Sequence, residues 1–176
     1  MNRLFRASLL LCTLALSACG FHLRQSAALP TSMQRMHLTV SGGGSLQRDL
    51  ARALEDSGVT VEDQGGEGIA ELKIPVAAFN TDTLSVSGGA RVTEYSVHYQ
   101  VRFEVDDSNG RPLVAQQRID MSRDFSYDAL NTVGTNAQVE EIRRSLNDDM
   151  VQAILFRLQA ASKHQLAEPA SAASTR

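Results

Sequence analysis

Cysteine is nearly missing from this chain. Of 176 residues only Cys12 and Cys19 carry a thiol, so one disulfide is the most that could close, and none if either sulfur is committed elsewhere. Histidine is thin too. His22, His37, His98 and His164 stand apart, none at metal-ligand spacing from another histidine, a cysteine or a paired acid, which gives no zinc-type centre to expect. No serine occupies a G-x-S-x-G elbow, the strained turn that lifts a hydrolase nucleophile out of its sheet. Asp106-Asp107 and Asp148-Asp149 are adjacent acids. Helix neighbours point apart, and the first pair falls in a turn, so both read as solvated surface rather than as an acid and its base. His98 falls on the polar side of a strand and reads as exposed rather than as a base. No catalytic residue, metal ligand or cofactor is expected.

Positive charge is also scarce. Seventeen Lys and Arg stand against twenty Asp and Glu, for a net charge of −3. Nucleic-acid binders draw their affinity from phosphates neutralised by Lys and Arg, so that class is excluded. An acidic chain is not held to an anionic membrane by bulk charge either. Any anionic ligand must be met by a local basic cluster. Long apolar runs are lacking as well. The one candidate, residues 7–16, falls well short of the roughly 20 needed to span a bilayer as a helix.

What that run does have is grammar. Arg3 and Arg6 precede it, and Ser17 and Ala18 follow, the order of a secretory signal peptide over residues 1–18. Leu16-Ser17-Ala18-Cys19 resembles the lipobox of bacterial lipoproteins, more specific than an ordinary signal peptide with a chance cysteine nearby. The resemblance implies cleavage before Cys19, diacylation of its sulfur and acylation of the new amino group. Two or more acyl chains give lasting attachment, at about 0.8 kcal/mol per buried CH₂. Cys12 leaves with the signal and Cys19 is committed to lipid, so no intramolecular disulfide can form and the fold must hold by packing. Losing Arg3 and Arg6 makes the mature chain more acidic still. Gly20 after the cysteine resembles the enteric pattern for an outer-membrane destination.

Residues 19–33, with Pro30, read as a lipidated tether, and residues 34–162 as a single domain large enough for a full core. Met36 to Val40 alternates as a first strand, and Ser41-Gly42-Gly43-Gly44-Ser45 breaks it. Leu46, Leu50, Ala53 and Leu54 make one apolar stripe of a short helix that Gly58 ends. Val59-Thr60-Val61 continues as extended chain. Leu72, Ile74 and Val76 alternate in a second strand reaching toward Val86, where Pro75 implies an edge or a bulge. After Gly88-Gly89, Tyr95, Val97, Tyr99, Val101, Phe103 and Val105 face one way. Glu94, Ser96, His98, Gln100, Arg102 and Glu104 face the other. Asp107 to Gly110 turns the chain, and Leu113 to Phe125 returns as a fourth strand. Thr135, with Gln138 three residues on, opens a long helix in a capping box. Its stripe is Val139, Ile142, Leu146, Met150, Ala153 and Leu158, widened by Val151 and Leu155, and it ends near Ser162. Residues 163–176 are a low-complexity tail expected to be disordered.

The order is β-α-β-β-β-α. Two amphipathic helices need a greasy surface and the four-stranded sheet offers one, so both pack there in an α+β two-layer sandwich. The other face stays polar, open to water or a partner. The glycine run invites a phosphate-cradle reading, but it lacks a P-loop lysine and the spacing of a dinucleotide fingerprint. Glycines entering a helix with Ser45 as N-cap explain it as well.

Cys19-Gly20-Phe21-His22-Leu23-Arg24 resembles the mature start of the LPS-assembly lipoprotein LptE family. Pro30 with Met33, Thr93-Glu94-Tyr95, the long last helix and the polar tail are similar too, over nearly the whole chain from Cys19 to about Leu158. The resemblance implies a non-enzymatic protein of the outer membrane, lipid-anchored on the inner leaflet. It would plug the β-barrel LptD, help that barrel assemble and bind lipopolysaccharide on its way to the surface. The family's ligand contacts are basic residues near the tip of the hairpin between strands two and three and near the start of the last helix. The aligned positions here are Gly88 and Thr135, neither basic, which leaves Arg91 and Arg123 as the substitutes to test. An exposed arginine is more often a solubilising charge. The rival classes are a scaffold lipoprotein of another envelope machine and, ranked low, a periplasm-facing lipoprotein hydrolase.

Overall fold

One alternating strand organises the packing. The computed structural model describes residues 29–86, 92–126 and 132–172. Its elements are β1 (Arg35–Gly42), α1 (Leu46–Asp56), β2 (Thr60–Glu62), β3 (Ala70–Val86), β4 (Val92–Asp106), β5 (Pro112–Ser126) and α2 (Thr132–Ala172), after a 3₁₀ turn at Thr31–Met33. Val97, Tyr99, Val101, Phe103 and Val105 of β4 are all buried, as a period of two dictates when one face meets a core. Each such side chain contributes roughly 1.5–3 kcal/mol on leaving water.

Among the described residues the sheet has five strands, in the order β2-β1-β3-β4-β5, rather than the expected four. The extra one is β2. Thr60, Val61 and Glu62 pair in parallel with Arg35, Met36 and His37. Its extended, β-branched character was visible, but three residues carry no periodicity that marks a strand. Arg35 also reaches Glu62 at 2.9 Å. The order is therefore β-α-β-β-β-β-α, with β1 parallel to β2 and β3 and the rest antiparallel.

Pro75 resolves as a bulge in a central strand. Along β3, Lys73 pairs with Glu104 but Val76 with Arg102, so Ile74 and Pro75 together face Phe103. A bulge suits a residue with no N–H to give the ladder. It also resets the alternation. Val76 comes to lie opposite Arg102 on the polar side, while Ala77 and Phe79 take the core side. The expected Leu72, Ile74, Val76 face is thus broken after Ile74.

Both helices cover the apolar face. Leu46, Leu50 and Leu54 of α1 are fully buried. The helix ends in a Schellman motif: Gly58 sits at φ 86°, its N–H donates to Glu55 O at 2.9 Å, and Val59 N–H donates to Leu54 O at 3.0 Å. In α2, Leu146, Met150, Val151, Ile154, Leu155 and Leu158 are buried. Ile154, four residues from both Met150 and Leu158, joins the expected stripe as a fully buried member.

The long helix starts at Thr132, not Thr135, and its 41 residues reach about 60 Å. Thr135 therefore lies within the first turn and cannot be an N-cap, a position that needs non-helical backbone. The helix also runs through Ala172, into the tail expected to lack structure. Alanine, leucine, glutamate and lysine there are strong helix formers. At the other end, Leu29 and Met33 are buried in the core, so the packed unit takes in residues ahead of 34. The expected signal and lipidation site at residues 1–19 lie outside the described residues.

Candidate functional site

The uncovered side of the sheet carries the polar groups. On β4, Ser96, His98, Gln100 and Arg102 point there, flanked by Asp82, Asn80, Ala78 and Val76 of β3 and by Asp124, Ser122, Asp120 and Arg118 of β5. Directly opposed residues share a face, so this is one continuous surface across three strands. Its groups are largely tied to each other. Ser96 is 1% exposed and donates to Asp124 Oδ1 at 2.6 Å. Asn80 Nδ2 donates to Asp82 Oδ1 at 2.7 Å, and His98 Nε2 lies 3.5 Å from Asp82 Oδ2. Arg118 grips Asp120 through Nε and Nη2 at 2.7–2.9 Å. The pair holds the Asp120 carboxyl below its usual range and the Arg118 guanidinium above its own. Arg102 sits directly across from Arg118 and has no partner among the described residues.

β3 pairs with β1 only as far as Ala77. Beyond it the β3–β4 hairpin and β5 extend as a three-stranded arm with Phe79 stacked on Tyr99 at 3.8 Å between ring centroids. Burial pushes the Tyr99 hydroxyl up to about 12. Leu84 near the end of the arm is half exposed.

The residues singled out from the sequence fall in different places. Cys19, Gly88 and Arg91 lie outside the described residues. Arg123 is described. It opposes the buried Val97, hence projects on the helix side, and its Nη2 meets Asp149 Oδ2 of α2 at 2.8 Å. Both partners are about half exposed, so the ion pair is weak and easily exchanged. The adjacent acids divide into structural tasks. Asp106 binds Lys73 at 2.9 Å. Asp107 closes the β4–β5 turn by accepting from the N–H groups of Asn109 and Arg111 at 2.8 and 2.9 Å. Those bonds, Arg111 N–H first, hold its carboxyl below the usual range. No group of three or more His, Cys, Asp or Glu among the described residues is placed to hold a metal. No described helix is long and apolar enough to cross a membrane.

The glycine run has a different cause from a serine cap. Ser45 precedes α1 with helical backbone and makes no side-chain capping bond. Gly42, Gly43 and Gly44 all take left-handed φ, at 83°, 75° and 58°. A Cβ on Gly42 would stand 2.7 Å from Ala77 O, and one on Gly43 2.8 Å from Ala77 Cβ. The first two glycines let β1 pass close to β3, whereas Gly44 borders open space. Arg143 and Asn147 of α2, which line the cleft beside this run, carried no signal in the sequence beyond their places near the apolar stripe.

A sheet with two helices on one side and a hydrogen-bonded polar face on the other defines an α+β two-layer sandwich with one dry and one wet surface. The family model described as LptE, Lipopolysaccharide-assembly, matches residues 33–158. The chain belongs to the LptE family. It is 25% identical over 158 residues to the LPS-assembly lipoprotein LptE of Photorhabdus laumondii, covering 89% of this chain and 86% of that one. It is 27% identical over 161 residues to the protein of the same name from Yersinia enterocolitica, covering 89% and 76%. Those names describe assembly rather than a reaction, and the family role is non-enzymatic. Among solved structures, the uncharacterized lipoprotein B of Nitrosomonas europaea superposes with a TM-score of 0.71 at 26% identity, over 85% of this chain and 96% of that one. The rare lipoprotein B of Shewanella oneidensis shares the fold, with a TM-score of 0.60 at 19% identity over 74% and 98% of the two chains.

Proposed function

We propose that this chain is a lipopolysaccharide-assembly lipoprotein of the outer membrane, anchored through acylated Cys19, that seats inside the LptD barrel and binds lipopolysaccharide in transit. The wet sheet face carries this reading. Barrel lumens are lined with polar groups, and a plug inside one needs hydrogen bonds and matched charge rather than apolar area. His98, Arg102, Asp120 and Ser122 supply such groups in one plane, while two helices already cover the apolar face. Charge complementarity of this kind gives specificity and register more than raw affinity.

Arg91 and Arg123 are the proposed lipopolysaccharide contacts, since a guanidinium offers paired donors to a lipid A phosphate. Arg123 would have to exchange Asp149 for that phosphate. If Arg91→Glu and Arg123→Glu each bind lipopolysaccharide as tightly as the parent at low salt, neither is the contact.

The role is tested by mild detergent extraction. Recovery of the chain in a one-to-one complex with a very large barrel supports it. Recovery with peptidoglycan alone, leaving the barrel free, overturns it in favour of a scaffold lipoprotein.

A further inference from the structure

A further cleft lies away from the polar sheet face and from Arg123. It measures about 290 Å³ and opens between the glycine run and α2, lined by Gly43, Gly44, Ser45, Phe79, Arg143 and Asn147. Three described side chains hold a buried polar atom with no hydrogen-bond partner: Tyr99 Oη, Arg143 Nε and Asn147 Oδ1. Two of these line the cleft, and Tyr99 stacks on Phe79, which also lines it. Orphaned buried polar atoms each carry a desolvation penalty of about 1–3 kcal/mol. Arg143 Nε and Asn147 Oδ1, side by side on one cleft, are the groups a ligand there would satisfy.

The donors and acceptors specify that ligand. Asn147 is only 4% exposed. Its Nδ2 donates to Asp49 Oδ2 at 2.9 Å, and this fixes the amide with its oxygen left over. Turning the amide would set that oxygen against the Asp49 carboxylate. Asn147 Oδ1 therefore asks for a donor. Arg143 gives Nη1 to Glu140 at 3.2 Å and lies over Phe79, so its buried Nε asks for an acceptor. Beside them, Ser45 leads into α1 without giving its side chain to a cap, and the Leu46 N–H is already taken by Gly43 O at 3.0 Å, so the Ser45 hydroxyl is the donor at this corner of the cleft. The left-handed glycines ahead of it form the kind of concave backbone that suits an anion.

Bulk charge does not do the binding. Glu140 and Arg144 also line the cleft, Arg144 is taken by Glu141 at 2.7 Å, and Asp49 stands in the first turn of α1. The near balance of charge selects directed hydrogen bonds. An anionic group satisfies Arg143 and the Ser45 hydroxyl, and a hydroxyl on the same molecule satisfies Asn147. We propose that this cleft binds a sugar phosphate, its phosphate at Ser45 and Arg143, and a ring hydroxyl at Asn147 Oδ1. A free sugar phosphate and the phosphorylated headgroup of a glycolipid share this chemistry. The lipid-borne source rests on the lipopolysaccharide-assembly reading; the cleft itself does not.

The test uses the ¹⁵N-labelled full chain in a detergent without a sugar headgroup. Glucosamine 1-phosphate is expected to shift the Gly44, Ser45 and Leu46 amides and the Asn147 side-chain amide saturably. Glucosamine alone, which lacks the charge-assisted bond to Arg143, should bind at least about tenfold more weakly, and inorganic phosphate, which lacks the neutral bond to Asn147, about fivefold more weakly. Arg143→Gln should raise the Kd about tenfold and Asn147→Ala about fivefold, a charge-assisted and a neutral bond respectively, with Arg52→Gln unchanged. Asn147→Ala counts only if its circular-dichroism spectrum matches the parent, and Arg143→Gln, at a partly exposed residue, carries the test alone otherwise. The proposal is overturned if those amides do not shift, if phosphate alone binds as well as glucosamine 1-phosphate, or if the variants keep parental affinity. Displacement of the sugar phosphate by lipopolysaccharide supports the lipid source, and failure to displace overturns that source while leaving the cleft. Loss of barrel co-purification with cleft binding intact overturns the role instead.

Discussion

Replacing Gly42 and Gly44 with alanine separates two costs that a glycine run hides. Both residues sit at left-handed φ, 83° and 58°, where a Cβ costs about 1–2 kcal/mol. Alanine also stiffens the unfolded chain and returns about 0.4–1 kcal/mol of that. At Gly44 a Cβ meets nothing within 4 Å, so the net loss should stay near 1 kcal/mol. At Gly42 it would lie 2.7 Å from Ala77 O, a backbone oxygen in the β1–β3 ladder that cannot rotate away. Relief requires opening the ladder there, adding about 1–3 kcal/mol for an orphaned buried group. Gly42→Ala should therefore lose roughly 3 kcal/mol in all. Urea unfolding followed by circular dichroism on the Cys19→Ala chain reads both. Equal losses at the two positions, or a neutral Gly42→Ala, would refute the close approach of β1 to β3.

Phe103→Ala, at a fully buried ring in mid-sheet, should lose about 3–5 kcal/mol in the same titration; a loss under half that would mean the core closes round the gap. Tyr99→Phe removes a buried hydroxyl that has no partner among the described residues, so stability should hold or rise, and a clear loss would reveal a bond to Tyr99 Oη. Asp107 has a folded pKa below its unfolded value, so its turn contribution is complete above the ordinary carboxylate pKa and fades as pH falls through the lower folded one. The Asn109 and Arg111 amides should therefore keep their neutral-pH shifts down to about pH 4 and move only below it; movement at higher pH contradicts the assignment. Cys19→Ala should leave the protein unanchored with its far-ultraviolet spectrum intact, and a lost spectrum would count against a tether outside the packed unit.

Periodicity carried the sheet face and both helices into view because β4 and α1 each bury one side only. It failed where length or local chemistry interfered. β2 has three residues, too few to show a period. Pro75 announced a bulge without revealing that Val76 would change sides, since that depends on the two-against-one pairing with β4. The Thr135–Gln138 capping signature was legible, but the helix begins at Thr132, which sets Thr135 inside the first turn rather than ahead of it. The binding features were harder still. Ser45 has the chemistry of a cap, and only its helical backbone reveals that it does not act as one. Asn147 looks like an ordinary polar residue beside an apolar stripe until the fold sets it 2.9 Å from Asp49, ninety-eight residues away.

The docking claim is most directly tested by photo-crosslinking in intact envelopes from single sites on the two sides of the sheet. Probes at His98 and Ser122, exposed on the uncovered face, should yield one adduct of LptD size, and a probe at Gln152 on α2 should yield much less. Adducts from Gln152 alone, with His98 and Ser122 silent, would contradict the assignment of the wet face to the barrel wall.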